Sequence, residues 1–256
     1  MAFGAKDVIV VTGAASGIGR ATADHLSASG AQVVGLDIAA ATQADPASGV
    51  HLWPHPVDVT DEAGVEGAIA AIEARFGAIA GLVNCAGILG KTHPPDRLRM
   101  SDWDREMAVD LRGTYLACRQ VGARMAGRGR GAIVNIASVA GSSSGPIHAY
   151  GPAKAAVISL TQNLAAEWGP RGVRVNSVSP GFTRTEALQA GIAAGVLDEG
   201  AMTGGAALQR LVEPLEVAKA VAWLLGPGAS GVTGVDLPVD AGFKAGITWS
   251  AYGGLR

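Results

Sequence analysis

Tyr150 and Lys154 lie four residues apart, a spacing that puts both side chains on one face of a helix. A free phenol titrates near pH 10 and is a poor base in neutral water. Using one as a base at neutral pH needs a shift of about 3 units, or roughly 4 kcal/mol of preference for the phenolate. A neighbouring ammonium in a partly dry site can supply that preference. The pair therefore suits a group that takes a proton from a hydroxyl and gives it back. Ser138 falls at the end of an apolar run, where its hydroxyl can hydrogen-bond a substrate oxygen. A second chemistry sits near the start, in Thr12-Gly13-Ala14-Ala15-Ser16-Gly17-Ile18-Gly19. Glycines so spaced allow a tight turn and close backbone approach to a pyrophosphate, which the free N–H groups of a following helix attract. Asp37 ends the next apolar run. A carboxylate there can accept both ribose hydroxyls of NAD and repels the 2′-phosphate of NADP.

These residues need elements to position them. Val8-Ile9-Val10-Val11 reads as a strand buried on both faces, followed by a helix over about Ile18–Ala28 that Ser29-Gly30 closes. Strands are predicted over Gln32–Leu36, within Val50–Val59, and over Ile79–Val83, Ala132–Ile136, Val173–Val178 and Val235–Val239. Helices are predicted over Asp61–Phe76, Ser101–Met125 with Ser101 or Asp102 near its N-cap, Tyr150–Trp168 and Pro214–Leu225. The polar stretch Ala41–Gly49 reads as a loop. Strand and helix alternate throughout, which predicts an α/β fold: a single-domain, Rossmann-like, doubly wound parallel sheet with helices on both faces. Residues 1–256 form one domain on this reading. Within it, Thr183–Leu208 is a Gly- and Ala-rich lid expected to be mobile, and 244–256 is a tail with Trp249 and Tyr252 placed to cap a site.

Further motifs follow in order: Asp58-Val59, Asn84-Cys85-Ala86-Gly87, Asn135-Ile136-Ala137-Ser138, Tyr150-Gly151-Pro152-Ala153-Lys154, Asn176, Pro180-Gly181-Phe182-Thr183 and Val239-Asp240-Ala241-Gly242. With the TGxxxGxG loop, over about residues 6–243, the chain resembles the short-chain dehydrogenase/reductase family. The resemblance implies NAD(P)-dependent oxidoreduction, with Ser138, Tyr150 and Lys154 catalytic and Lys154 also on the nicotinamide ribose. It puts Gly13, Ser16, Gly17, Ile18 and Gly19 on the pyrophosphate, and Asp58 and Val59 at the adenine. Asn84, Ala86 and Gly87 would border the adenine-side ribose, while Pro180, Gly181, Thr183 and Thr185 would lie near the nicotinamide. It also suggests a homotetramer.

Two departures stand out. Asp110, in Val109-Asp110-Leu111-Arg112-Gly113, occupies the place of the family's usual Asn, and the Ser138-to-Tyr150 gap is about one residue short. An ionised Asp110 could strengthen the Lys154 cation or compete with Tyr150 for it. Asp110 could equally replace Asn only as a hydrogen-bonding residue, which is the reading preferred from sequence.

Composition narrows the partners. Of 256 residues 16% are charged, with a net charge of −2, which gives a polyanion nothing to bind and argues against nucleic acid. The longest uncharged run, Gly131–Ala153, carries Asn135, His148 and two prolines, so no membrane span is expected. Cys85 and Cys118 and the five histidines form no metal pattern, and the start shows no signal core. A reduced, cytoplasmic setting without metal is expected. Arg124, Arg128 and Arg130 read as a solvated helix C-terminus. His93, His148 and Leu188 flank the substrate region. The lid side chains Ala187, Leu188, Ile192, Val196, Leu197, Met202 and Leu208 are apolar, which points to a hydrophobic or cyclic secondary alcohol or ketone. The expected enzyme is an NAD-dependent short-chain alcohol dehydrogenase. The alternatives are an NADPH-dependent 3-oxoacyl thioester reductase and a non-catalytic NAD-binding regulatory protein.

Overall fold

The computed structural model describes residues 7–39, 49–90, 92–246 and 248–249. In chain order the elements are β1 (Val8–Thr12), α1 (Gly17–Ala28), β2 (Gln32–Leu36), β3 (His51–Leu52), α2 (Glu62–Phe76) and β4 (Ile79–Asn84). Next come α3 (Met100–Glu106), a π-helical stretch over Met107–Gly113, α4 (Thr114–Arg128), β5 (Gly131–Ile136), α5 (Tyr150–Trp168) and β6 (Val173–Pro180). Last are α6 (Glu186–Ala193), α7 (Glu199–Gly204), α8 (Pro214–Leu225), β7 (Asp236–Val239) and α9 (Phe243–Gly246).

The seven strands form one sheet in the order β3-β2-β1-β4-β5-β6-β7, and every pairing is parallel. Strand order reverses between β1 and β4, so the crevice at their C-terminal ends is where ligands bind in such sheets. One face packs on α2, α4 and α5 through Ile69, Ile72, Val121, Met125, Leu164 and Trp168. The other packs on α1 and α8 through Leu26, Val217, Val221 and Leu224. Continuous apolar strands are what two covered faces demand. Gly122 lets α4 and α5 approach, since a β-carbon there would enter the Trp168 ring.

Three expectations are corrected. The strand expected within Val50–Val59 shrinks to His51–Leu52, because Pro54 and Pro56 supply no N–H to a ladder. The helix expected from Ser101 begins at Met100, and its N-cap is Arg99, whose guanidinium holds both oxygens of Asp102 at 2.8 Å. That helix is also interrupted by the π-helical stretch. Arg124 and Arg128 are not simply solvated. They pair with Glu73 of α2 at 3.5 and 2.8 Å, and Arg128 donates to the Ile79 carbonyl, which ties α4 to α2 and β4. The segment expected as a lid holds α6 and α7 and is anchored at its start, where Thr183 bridges to Val212 and Arg184 pairs with Glu199 and Glu213. Most of the loop 41–49 and of the tail 244–256 lies outside the described residues; Trp249 is half exposed.

Candidate active site

The glycine loop sits between β1 and α1, at the switch point. Gly13 has φ +67°, and a β-carbon there would lie 2.8 Å from the Ala86 backbone, so only glycine lets the two crossover loops meet. Gly19 is equally constrained, its β-carbon position colliding with the Gly13 carbonyl. Thr12 Oγ1 accepts from the N–H groups of Cys85 and Ala86 at 3.2 Å, a brace that the sequence reading missed. Asp37 closes the loop from the other side. Its Oδ2 accepts from Ala15 N and its Oδ1 from Ala39 N, both at 2.9 Å. Each oxygen keeps a further lone pair for a ribose hydroxyl. The cradle, with α1 starting at Gly17 and the carboxylate at the end of β2, fits a dinucleotide. In this structure Glu186 Oε2 accepts from Gly17 N at 3.2 Å, so a carboxylate of α6 faces the N-terminus where a phosphate would lie. Thr185 packs against Gly17 and caps α6, accepting from Leu188 N.

Other nucleotide-side residues divide. Asp58 Oδ1 caps its own turn, accepting from Thr60 N and Oγ1 at 2.8 Å, and Val59 is buried against Gly113. Ala86 and Gly87 follow β4 into the crevice. Asn84 does not meet its expected place. Its amide donates inward to Asn135 Oδ1 at 2.8 Å, and Asn135 donates to Thr161 Oγ1, so Asn84 braces β4 against β5 and α5. Gly181 approaches Asp240, and Thr183 is buried with its hydroxyl on the Gly181 carbonyl.

The catalytic candidates converge beyond β5. Ser138 is extended and accepts from Ala140 N, with its hydroxyl at the end of the strand. Tyr150 opens α5, and Lys154 one turn later is buried with Nζ 5.4 Å from the Tyr150 ring centroid. Lys154 Nζ donates to the Ile136 carbonyl at 3.1 Å and lies 3.3 Å from Asp110 Oδ1. Asp110 is fully buried. Its Oδ1 also accepts from Ile88 N, while Oδ2 has no hydrogen-bond partner among the described residues. Burial pushes the Asp110 carboxyl above the usual range, and the Lys154 charge opposes that push. Burial works against the Lys154 ammonium, but Tyr150 and then Asp110 outweigh it and hold its pKa above the ordinary lysine value. Gly87 has no side chain because Asp110 and Lys154 fill the space one would take. Asp110 is thus in ionic contact with Lys154, whereas the reading preferred from sequence made it a plain hydrogen-bonding substitute.

His93 and His148 border one recess together with Glu106; Leu188 lies elsewhere, on α6. Glu106 was not singled out in the sequence. Among the described residues no cluster of His, Cys, Asp or Glu could hold a metal, and no helix is long and apolar enough to cross a membrane.

A doubly wound sheet with a dinucleotide cradle beside a Ser/Tyr/Lys cluster defines a nucleotide-dependent oxidoreductase class. The chain belongs to the short-chain dehydrogenase/reductase family: a family profile described as enoyl-(acyl carrier protein) reductase matches residues 13–244. D-threitol dehydrogenase of Mycolicibacterium smegmatis is 39% identical over 251 residues, covering 92% of this chain and 92% of its own. Cis-4-hydroxycyclohexanecarboxylate dehydrogenase of Sinomonas cyclohexanicum is 39% identical over 248 residues, covering 94% and 98%. A solved structure described as ribose-5-phosphate isomerase from Brucella melitensis 16M superposes with a TM-score of 0.93 at 54% identity, covering 98% and 97%. The chain is therefore similar in sequence along its length to proteins named as dehydrogenases.

Proposed function

We propose that this protein transfers hydride between NAD(H) and a secondary alcohol or ketone, with Tyr150 as general acid and base. The observation that carries the reading is the buried Lys154 ammonium, set against the Tyr150 ring and alongside a cradle shaped for a dinucleotide. NAD, when bound, supplies the hydride acceptor. Gly13, Ser16, Gly17, Ile18 and Gly19 would hold its pyrophosphate and Asp37 its adenosine ribose. In the oxidative direction Ser138 Oγ holds the substrate oxygen and Tyr150 takes the hydroxyl proton. The Lys154 ammonium stabilises the charge that develops on the phenol oxygen, and Asp110 keeps that ammonium charged and in place.

Asp37 supports NAD over NADP, because its carboxylate meets a 2′-phosphate with like charge and no Arg or Lys adjoins it in sequence. This weighs against the alternative of an NADPH-dependent 3-oxoacyl thioester reductase. An aldose–ketose isomerisation moves protons and needs no hydride acceptor, so the dinucleotide cradle favours the dehydrogenase reading over that of the similar structure described as an isomerase. The resemblance supports a homotetramer, checked by light scattering for four chain masses, and the two free cysteines suit a reducing, cytoplasmic setting. A panel of secondary alcohols and ketones with NAD(H), run beside Tyr150→Phe, tests the reaction. Turnover is expected in the wild type and loss of it in the variant; activity persisting in Tyr150→Phe removes the mechanism.

A further inference from the structure

Glu106 and Asp110 are two buried carboxylates one turn apart, at the end of α3 and inside the π-helical stretch that follows. Both reach the same piece of chain, the loop that runs on from β4. Asp110 Oδ1 accepts from Ile88 N at 3.2 Å, and the Glu106 carboxylate accepts from the Gly90 N–H. Two residues of extended chain advance about 6.6 Å. One helical turn advances about 5.4 Å. Carboxylates four residues apart can therefore take alternate N–H groups of one passing segment. The glycines show how closely the loop lies on them. A β-carbon on Gly87 would crowd Asp110 Oδ1, and one on Gly90 would strike Glu106 Oε1.

Asp110 has a second task, since Lys154 Nζ lies 3.3 Å from it. Glu106 has no such partner. It is 5% exposed, and among the described residues no cation pairs with it. Burial pushes its carboxyl above the usual range. The Gly90 hydrogen bond pulls it back, and the charges of Asp110 and Asp102 add to the push. A position that only filled space would bury an apolar group at less cost.

The loop is held at three points along its length. At its near end the N–H groups of Cys85 and Ala86 donate to Thr12 Oγ1, and the Ala86 backbone fits against Gly13 of the cradle. In the middle, Gly87 lies against Asp110 and Lys154. At the far end, the Gly90 N–H rests on Glu106. The segment thus runs between the dinucleotide cradle and the lysine of the Ser/Tyr/Lys cluster.

Resting on the dinucleotide reading above, we propose that Glu106 is a positioning residue for cofactor binding: its ionised carboxylate anchors the far end of the 85–90 loop, and the loop so held forms the wall between Gly13 and Lys154. The charge matters as well as the shape. A hydrogen bond to an ionised acceptor is roughly twice as strong as one to a neutral acceptor. Protonated Glu106 is a weaker anchor, so the loop loosens as pH falls through the raised pKa of this group. The titratable groups around it are Asp102 on α3, Asp110 in the π-helical stretch, and His93 and His148 on the two loops that border it. Lys154 of α5 stands beyond Asp110. A charged imidazole favours the ionised carboxylate and opposes the loosening, so the decisive comparison uses a variant that cannot ionise.

The test measures NADH binding by titration calorimetry from pH 8 to pH 5, with amide hydrogen exchange of the nucleotide-free protein as a second readout. Glu106→Leu fills the space but accepts no hydrogen bond. At pH 8 it is expected to weaken NADH about tenfold. It should also speed exchange in the peptide covering residues 85–90, while the peptide covering 181–185 exchanges as before. Glu106→Gln keeps an acceptor oxygen without the charge. It is expected to restore most of the protection and to weaken NADH only about threefold at pH 8, and that gap to the wild type should close toward pH 5. The proposal is overturned if Glu106→Leu binds NADH as the wild type does, if its 85–90 peptide exchanges no faster, or if the gap of Glu106→Gln is absent at pH 8 or persists to pH 5. Should Glu106→Leu fail to fold, the pH-dependent gap of Glu106→Gln decides alone. If neither NADH nor NADPH binds the wild type, the dinucleotide reading falls and takes the cofactor role of Glu106 with it, whatever the exchange shows.

Discussion

Asp110 shows how much one atom changes at the residue scale. An amide there would offer Lys154 a neutral oxygen, whereas the carboxylate offers a charge at 3.3 Å inside a dry pocket. Removing one partner of a buried pair is costly because the other is left uncompensated. Asp110 is one of the three side chains, after Tyr150 and before Cys85, that keep the Lys154 ammonium above its ordinary pKa against burial. Asp110→Asn therefore lowers the pKa of Lys154. The ammonium is the active form, so activity that depends on it is lost as pH rises through that pKa, and in the variant the alkaline loss begins at lower pH. The same sign governs stability: a raised lysine pKa stabilises the fold below the ordinary lysine range, and this is lost as pH rises through the folded value. A kcat/KM profile against pH checks the prediction. An unchanged alkaline limb would reduce Asp110 to a hydrogen-bonding spacer.

At the scale of elements, the Glu186 contact joins α6 to α1. The N-terminus of α1 carries partial positive charge, and Glu186 Oε2 now meets its first N–H. Dinucleotide phosphates need the same N–H groups, so α6 must release Glu186 as they bind. Glu186→Gln is expected to tighten NAD+ binding roughly two- to fivefold, the scale of one charge at a helix end. Adenosine, which lacks phosphates, should bind both proteins alike. Calorimetry showing NAD+ bound no tighter by the variant would mean that the contact has no competitive role.

The elements also show where sequence reading reaches and where it stops. Helix α5 over Tyr150–Trp168 and α8 over Pro214–Leu225 were legible to the residue, because apolar spacing and a first-turn proline mark them locally. The glycine loop, Ser138, Tyr150 and Lys154 were legible for the same reason, as residue types at fixed spacings. The π-helical stretch was not. Within it Gly113 packs under Val59 and Asp110 reaches Lys154, contacts between segments about 50 residues apart that no local pattern shows. Glu106 was hidden as well. Among Asp102, Asp104 and Arg105 it reads as another surface charge, and only the path of the 87–90 loop buries it. Asn84 misled because its motif predicts position after β4, while the side-chain direction follows from Asn135 across the sheet.

For the whole molecule, the site belongs to no single layer. The cradle joins β1, α1 and the end of β2, and the Ser/Tyr/Lys cluster joins β5 and α5. The two cores lie on opposite faces of the one sheet between them. A dinucleotide lying along the strand ends therefore bridges elements that must separate on unfolding, so its binding energy appears as global stability. At 100 times its dissociation constant a ligand of the native state adds about 2.7 kcal/mol. For a domain of this size that corresponds to a rise in Tm of about 5–10 °C. NAD+ should produce this rise. NADP+ at the same concentration should produce much less, because Asp37 holds its carboxylate at the end of β2 through Ala15 N and Ala39 N and cannot easily turn away from a 2′-phosphate. Asp37→Ser should narrow the gap between the two cofactors by raising the NADP+ shift and lowering the NAD+ shift, since the variant loses the like charge and a ribose acceptor together. Equal shifts from NAD+ and NADP+ in the unaltered protein would remove Asp37 as the selector.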